Sequence, residues 1–269
     1  MAYIDIHCHV LPGIDDGAVD LAETVSMLRR AWEGGTRIVV ATPHLYSPFF
    51  DGITPVTILD TYHQTLLALR ERSSLAGCEF LSEMELLVGA ENHLTPELLD
   101  AAAAGDALTL GGTRYLLVEP APFVSGALLE SAVDRLLNAC YWPVLAHIER
   151  YEDFHRNLDA LSRLLKRGCL AQINAGSVLG ADGRRARRAS FDLLSHGLVD
   201  VVASDGHGAD RRKPDLGRAA NLLASEFHPT AVQSWFEERP AEILGRPSPA
   251  RPGKGVGGEQ IAGTEERPR

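Results

Sequence analysis

The chain has 269 residues, a formal charge of −10 and 45% apolar side chains, enough to bury the core of one large domain without covalent staples. The acidic balance argues against a sequence-independent nucleic-acid binder, which carries a basic face. Four cysteines, Cys8, Cys78, Cys140 and Cys169, lie far apart with no Cys-x-x-Cys pair, so neither a zinc knuckle nor a disulfide framework is indicated and reduced thiols are expected.

The N-terminal run Tyr3-Ile4-Asp5-Ile6-His7-Cys8-His9-Val10 alternates like a half-buried strand. Alternation places His7 and His9 on one face with Asp5, and Ile4, Ile6, Cys8 and Val10 on the other. Two imidazoles on one face at adjacent sites suit a metal ion. No basic, apolar and cleavage-site leader precedes this strand and no apolar run is long enough to span a membrane, so a cytoplasmic protein without an integral membrane segment is expected. The loop Leu11–Gly17 leads to a helix near Leu21–Glu33 with apolar residues at Leu21, Val25, Leu28 and Trp32, stopped by Gly34-Gly35. A second strand, Arg37–Thr42, ends in Pro43-His44, and a helix near Val56–Ser73 follows.

A third strand lies within Cys78–Gly89 and ends in Ala90-Glu91, before an N-cap at Thr95 with Pro96 in the first turn. The fourth, Arg114–Val118, ends in Glu119-Pro120. After a helix near Leu128–Ala139, the fifth, Trp142–Ala146, ends in His147. The sixth, Leu170–Ile173, ends in Asn174, and the seventh, Asp200–Ala203, in Ser204-Asp205-Gly206-His207. Helices near Asn157–Arg167, Arg184–Ser195 and Leu216–Glu226 fill the intervals.

Strands alternating with helices require parallel pairing with helical crossovers, hence an α/β architecture. His9, His44, Glu91, Glu119, His147, Asp205 and His207 all sit at or just past the end of an apolar strand run. In a closed parallel barrel those ends converge on one mouth, where barrel enzymes place their chemistry. Seven strands suggest a barrel one unit short of the usual eight. With His7 added, the ligand-type residues exceed the three or four protein ligands of a single catalytic zinc, so more than one metal is expected. Mixed imidazole and carboxylate sets suit manganese, iron or zinc. His63, His93, His155, His196 and His228 fall in helical or loop stretches and read as surface or packing residues.

The motifs Asp5-Ile6-His7-Cys8-His9, Ala41-Thr42-Pro43-His44, Gly89-Ala90-Glu91, Val118-Glu119 and Ala203-Ser204-Asp205-Gly206-His207 together resemble the polymerase and histidinol phosphatase (PHP) superfamily. Leu11-Pro12-Gly13-Ile14-Asp15-Asp16-Gly17 and Ala146-His147-Ile148-Glu149-Arg150-Tyr151 resemble its branch of bacterial tyrosine phosphatases from capsule and exopolysaccharide operons, the CpsB/CapC type. The resemblance runs from Met1 to Leu244. It implies a distorted (β/α)7 barrel over residues 1–245 that binds two or three divalent ions, manganese foremost, with iron or zinc as alternatives. It further implies removal of phosphate from phosphotyrosine on a polysaccharide-assembly tyrosine kinase. The implied metal ligands are His7, His9, His44, Glu91, Glu119, His147, Asp205 and His207, the set that strand ends select independently. Arg150 and Arg212 match positions implied to engage phosphate, although Arg211-Arg212-Lys213 allows slippage by a residue or a simple basic loop.

A phosphomonoester dianion needs charge neutralisation and a nucleophile, which bound metals provide, while arginine adds a planar fork. No cysteine has an arginine six positions on, so thiolate catalysis is not expected. Asp5 either orients a ligand histidine or caps the strand; Asp15 and Asp16 either line the mouth or form a turn. Residues 246–269, rich in Pro, Gly and charge, are expected to be a disordered tail or a partner-docking segment. Two other functions fit the same residues: a small-molecule phosphomonoesterase of the histidinol-phosphatase type, and a non-catalytic metal-binding PHP-like module. A homo-oligomer is compatible with either.

Overall fold

The computed structural model describes residues 2–121 and 126–246, and the expected tail from residue 247 onward lies outside the described residues. The strands are β1 (Tyr3–Cys8), β2 (Thr36–Ala41), β3 (His44–Leu45), β4 (Glu85–Val88) and β5 (Glu91–His93). They continue with β6 (Tyr115–Glu119), β7 (Trp142–Leu145), β8 (Leu170–Asn174) and β9 (Val201–Ala203). All pair in parallel, in the orders β1-β2-β4 and β3-β5-β6-β7-β8-β9.

The two sheets are one curled sheet. Thr42-Pro43 divides β2 from β3 and Gly89-Ala90 divides β4 from β5, while Gly89 N donates to Ala41 O at 2.8 Å and Glu91 N to Pro43 O at 3.0 Å across the break. The ring closes where Cys8 bridges Gly206, with His9 N to Gly206 O and Asp205 N to His7 O both 2.8 Å. The result is a distorted barrel in which the second and third strand positions are each broken in two.

The helices follow the strand positions as βα units demand, the last three coming after β9. They are α1 (Leu21–Glu33), α2 (Pro55–Arg72), α3 (Pro96–Ala104), α4 (Gly126–Asn138), α5 (Glu152–Arg156) and α6 (Leu158–Lys166). After them come α7 (Ala175–Leu179), α8 (Arg184–Ser195), α9 (Leu216–Ala224), α10 (Pro229–Gln233) and α11 (Arg239–Ile243). Local chemistry sets their starts: Asp20 caps α1 by accepting from Glu23 N at 2.9 Å, and Thr54 and Thr57 form a capping box around the first turn of α2, which begins with Pro55. Thr95 caps α3 with Pro96 behind it, as its sequence indicates.

Period-2 alternation sorts each strand between inside and outside. Val40, Leu117, Val144, Val201 and Ala203 form an inner cluster with Ile4 and Ile6, closed by Ala241, Ile243 and Leu244. Val39 and Ala41 instead pack outward with Met27, Leu28 and Ala31 of α1, and Leu116 and Val118 with Leu98 and Leu136. The first strand departs from the simple alternation. Ile4 and Ile6 lie in the inner cluster but Cys8 and Val10 pack under α1, because pairing with β2 slips between Asp5 and Cys8. Such an irregularity re-aims the side chains that follow it.

Candidate metal centre

The polar residues at the strand ends meet in one buried cluster. Glu91, the first residue of β5, is its centre: Oε2 lies 3.4 Å from His7 Nε2, 3.3 Å from His9 Nε2 and 3.0 Å from His44 Nδ1. Its Oε1 lies 2.8 Å from His147 Nε2. Asp205 Oδ1 faces His7, His9 and His207 at 3.3, 3.6 and 3.5 Å. Glu119 Oε1 stands 3.6 Å from His147 Nε2. The residues fall into overlapping groups that could each surround an ion: His7, His9 and Glu91; Glu91, Glu119 and His147; His9, Asp16, His44 and His207; and His44, His93 and Glu119.

Ring orientation is set from behind. His7 Nδ1 faces Gln172 Oε1 at 3.1 Å, His9 Nδ1 faces Asp15 Oδ2 at 2.7 Å and His207 Nδ1 faces the Asp205 carbonyl at 2.9 Å. Each contact calls for a proton on Nδ1 and leaves Nε2 as the ligand atom. Asp15 also accepts from His44 N at 3.1 Å and Gly17 N at 2.9 Å. Asp-Asp-Gly is therefore both a turn and part of the mouth: Asp15 orients His9, and Asp16 Oδ1 lies 3.3 Å from His207 Nε2 and 3.5 Å from His44 Nε2. Asp5 accepts from Ser204 N at 3.0 Å and His7 N at 3.3 Å, so its role is to clamp β1 to the end of β9 rather than to touch an imidazole ring.

Charge in the cluster is balanced by imidazoles. Burial alone would raise the Glu91 carboxyl, but His7, His147 and His44 more than offset it and hold it well below the usual carboxylate range. Burial likewise opposes Asp205, and His7 and Arg212 bring it below its ordinary value. Burial would lower His9 and His44, yet Asp15 and Glu91 lift the first well above normal, and Asp16 and Glu91 bring the second to about 9. Buried carboxylates that favour the protonated form of these imidazoles would equally favour a divalent cation in its place, since metal binding exchanges protons for the ion. Buried His44 Nδ1, His207 Nε2 and Glu119 Oε2 have no hydrogen-bond partner among the described residues. The donor set therefore fits divalent metal.

Residues 3–245 match the family described as "Capsular polysaccharide synthesis, CpsB/CapC". The chain belongs to the CpsB/CapC family. The tyrosine-protein phosphatase YwqE of Bacillus subtilis is 32% identical over 83% of this chain and 85% of its own. The tyrosine-protein phosphatase CpsB of Streptococcus agalactiae is 28% identical over 90% of this chain and 98% of its own. A solved chain described under crystal structures of YwqE from Bacillus subtilis and CpsB from Streptococcus pneumoniae, "unique metal-dependent tyrosine phosphatases", superposes with TM-score 0.81 at 28% identity. That superposition covers 93% of this chain and 97% of the other.

Within this CpsB/CapC chain, both arginines singled out from sequence lie at the cluster. Arg150 Nη2 is 3.2 Å from Asp205 Oδ2, and Arg212, not Arg211 or Lys213, pairs with the same oxygen. Arg150 thus engages a cluster carboxylate rather than a surface one. His147, Asp205 and Arg212 have positive φ, at +33, +51 and +46°. Left-handed backbone at three non-glycine residues of one site is the kind of strain that functional geometry retains. A cavity of about 550 Å³, walled by Asn174, Asp182, Ser204, Asp205, Arg212 and Arg218 among others, adjoins the cluster.

Three positions were not legible as site residues. His93, expected to be a surface or packing residue, places Nε2 2.7 Å from Glu119 Oε2. It belongs to β5, two residues past Glu91, so the same alternation that aims Glu91 aims it. Gln172 accepts from His147 N at 3.0 Å and donates to Asn174 Oδ1 at 2.8 Å, and Asn174 donates to Asp205 Oδ2 at 2.7 Å. These amides alternate at the end of the sixth strand position, a signal present in the sequence. His63, His196 and His228 are exposed, as expected, and the side chain of His155 lies outside the described residues.

Proposed function

We propose that this chain is a metal-dependent phosphatase that hydrolyses phosphotyrosine in protein, acting in the cytoplasm on a tyrosine kinase of capsule or exopolysaccharide assembly. The observation that carries the reading is Glu91, a buried carboxylate facing four imidazoles, in a chain whose family relatives are named tyrosine phosphatases. His7, His9, His44, Glu91, Glu119, His147, Asp205 and His207 would hold two or three divalent ions, manganese first, with iron or zinc as alternatives. Such ions, when bound, neutralise phosphoryl oxygens and acidify water.

The chain's own groups do the rest. Asp15, Gln172 and the Asp205 carbonyl orient the histidine rings. Arg150 and Arg212 present guanidinium forks that match phosphate geometry, and Asp205 Oδ2 holds both at the edge of the cluster. Their side chains are about one third exposed, at 35 and 34%, so an incoming phosphate can reach them. Thiolate chemistry is disfavoured: burial, with Asp5 adding to it, pushes the Cys8 thiol well above its ordinary value, and burial pushes Cys169 up to about 12. No described helix is long and apolar enough to cross a membrane.

The deciding experiment is hydrolysis of a phosphotyrosine peptide and an aryl phosphate before and after exhaustive chelation, followed by readdition of manganese. Chelation abolishes activity and manganese restores it, and His9→Ala and Asp205→Ala lose most of it through lost coordination. Full turnover in excess chelator rules out the mechanism. Preference for histidinol phosphate over phosphotyrosine peptide reassigns the substrate while leaving the metal chemistry in place.

A further inference from the structure

One set of ligand-type atoms lies beside the cluster in close ion-pair contact, with His44 Nδ1 3.0 Å from Glu91 Oε2, but without an aligned hydrogen bond. His93 Nε2 and Glu119 Oε2 are 2.7 Å apart, and the His93 ring centroid is 5.4 Å from that of His44. Despite these separations His93 Nε2, Glu119 Oε2 and His44 Nδ1 are all buried atoms with no aligned hydrogen bond among the described residues. Nearly every buried polar atom in a folded protein is paired, and leaving one unpaired is destabilising. Three such atoms, all metal-ligand types and in adjacent side chains, call for one common partner.

We propose that His44, His93 and Glu119 hold a divalent cation at the rim of the mouth, with His93 as a ligand outside the set of eight. The inference rests on the metal-dependent reading above and adds a position to it. Their candidate ligand atoms lie within 4.8 Å of one another, close to the span of ligands placed about 2.0–2.2 Å around one ion. Two imidazoles and a carboxylate suit manganese, iron or zinc. The arrangement comes from three strands that pair directly: His44 opposite Glu91 on β3 and β5, and His93 opposite Glu119 on β5 and β6.

The side chains of His44 and His93 are each 13% exposed and that of Glu119 21%, so coordination positions facing solvent remain for water or a phosphoryl oxygen. His44 and Glu119 also belong to neighbouring groups, and because this is the one group of the four with no fully buried ligand residue, its cation is expected to be the most weakly held of the set.

Metal content per chain, measured by mass spectrometry after dialysis at a series of free manganese concentrations, tests this directly in the full-length protein. The wild type is compared with His93→Ala and with His93→Gln, whose amide can still donate to Glu119 but ligates poorly. Both variants are expected to lose one equivalent at manganese concentrations that saturate the wild type. The weakest phase of the titration disappears while the tighter equivalents and the circular dichroism stay unchanged. Wild-type stoichiometry in both variants overturns the proposal and leaves His93 as a partner of Glu119. Loss in His93→Ala with retention in His93→Gln overturns it too, because a hydrogen bond then suffices. A wild type that binds no divalent metal sinks the proposed function itself, an outcome distinct from either.

Discussion

Asp205 gives its two oxygens different partners: Oδ1 faces the histidines, and Oδ2 receives Asn174, Arg150 and Arg212. Cationic arginine cannot coordinate a metal, so a substitution at Arg150 tests the proposed phosphate recognition apart from metal assembly. Arg150→Ala is expected to leave metal content intact and lower kcat/KM by roughly 10²–10³, the effect of removing one oxyanion donor. Lysine recovers part of it, because a point charge cannot reproduce a bidentate fork. Metal analysis beside kinetics checks this, and loss of metal from the alanine variant would show that the residue supports Asp205 instead. His44 makes a second prediction at this scale. Its imidazole, opposed by burial but lifted by Asp16 and Glu91, reaches about 9 from an ordinary 6.5 in the metal-free protein. A raised imidazole contributes stability that is fully present below 6.5 and is lost as pH rises through about 9. The proton must also leave before the ring can ligate, so manganese affinity rises toward pH 9 and uptake near pH 7 releases protons. Calorimetry in buffers of different ionisation enthalpy counts them, and a count of zero contradicts the prediction.

The loop after β1 is the element on which His9 depends. Gly17 lies against the strand so closely that a Cβ there would sit 2.0 Å from His9 O and 2.5 Å from His9 Cβ. Any side chain must push the loop away, taking with it Asp15, which orients His9, and Asp16, which faces His44 and His207. Gly17→Ala is expected to destabilise the fold by on the order of 1–3 kcal/mol, as overpacking does, and to weaken metal binding. Denaturant unfolding and a manganese titration measure the two effects; wild-type values for both would mean that the loop yields freely. The break at Gly89-Ala90 acts at the same scale. It lets β5 restart with Glu91 facing the cluster, two residues ahead of His93 on the same strand.

For the whole molecule, the family match ends at residue 245 and the last helix at Ile243. Leu244 still packs in the inner cluster with Ile243 and Ala241, so the barrel needs the chain to that point. Removal of residues 247–269 is therefore expected to leave thermal stability and hydrolysis of a small aryl phosphate within about twofold of the intact chain, since every described barrel element is kept. Unfolding or aggregation on truncation would mean that the segment packs on the barrel.

The parallel βα order, the strand ends and the metal-ligand character of those ends follow from local pattern, because alternation and helical period are properties of neighbouring residues. His9, His44, Glu91, Glu119, His147, Asp205 and His207 could be read that way, one strand end at a time. Which of them forms the centre could not. Glu91 contacts residues as distant in sequence as His7 and His147, and such meetings depend on register and closure, set by pairing between remote segments. The slip between Asp5 and Cys8, the seam at Gly206 and the broken strands at Pro43 and Ala90 are likewise products of tertiary packing. They decide that Asp5 clamps backbone, that Asp15 and Asp16 take different tasks, and that His93 points into the mouth rather than away from it.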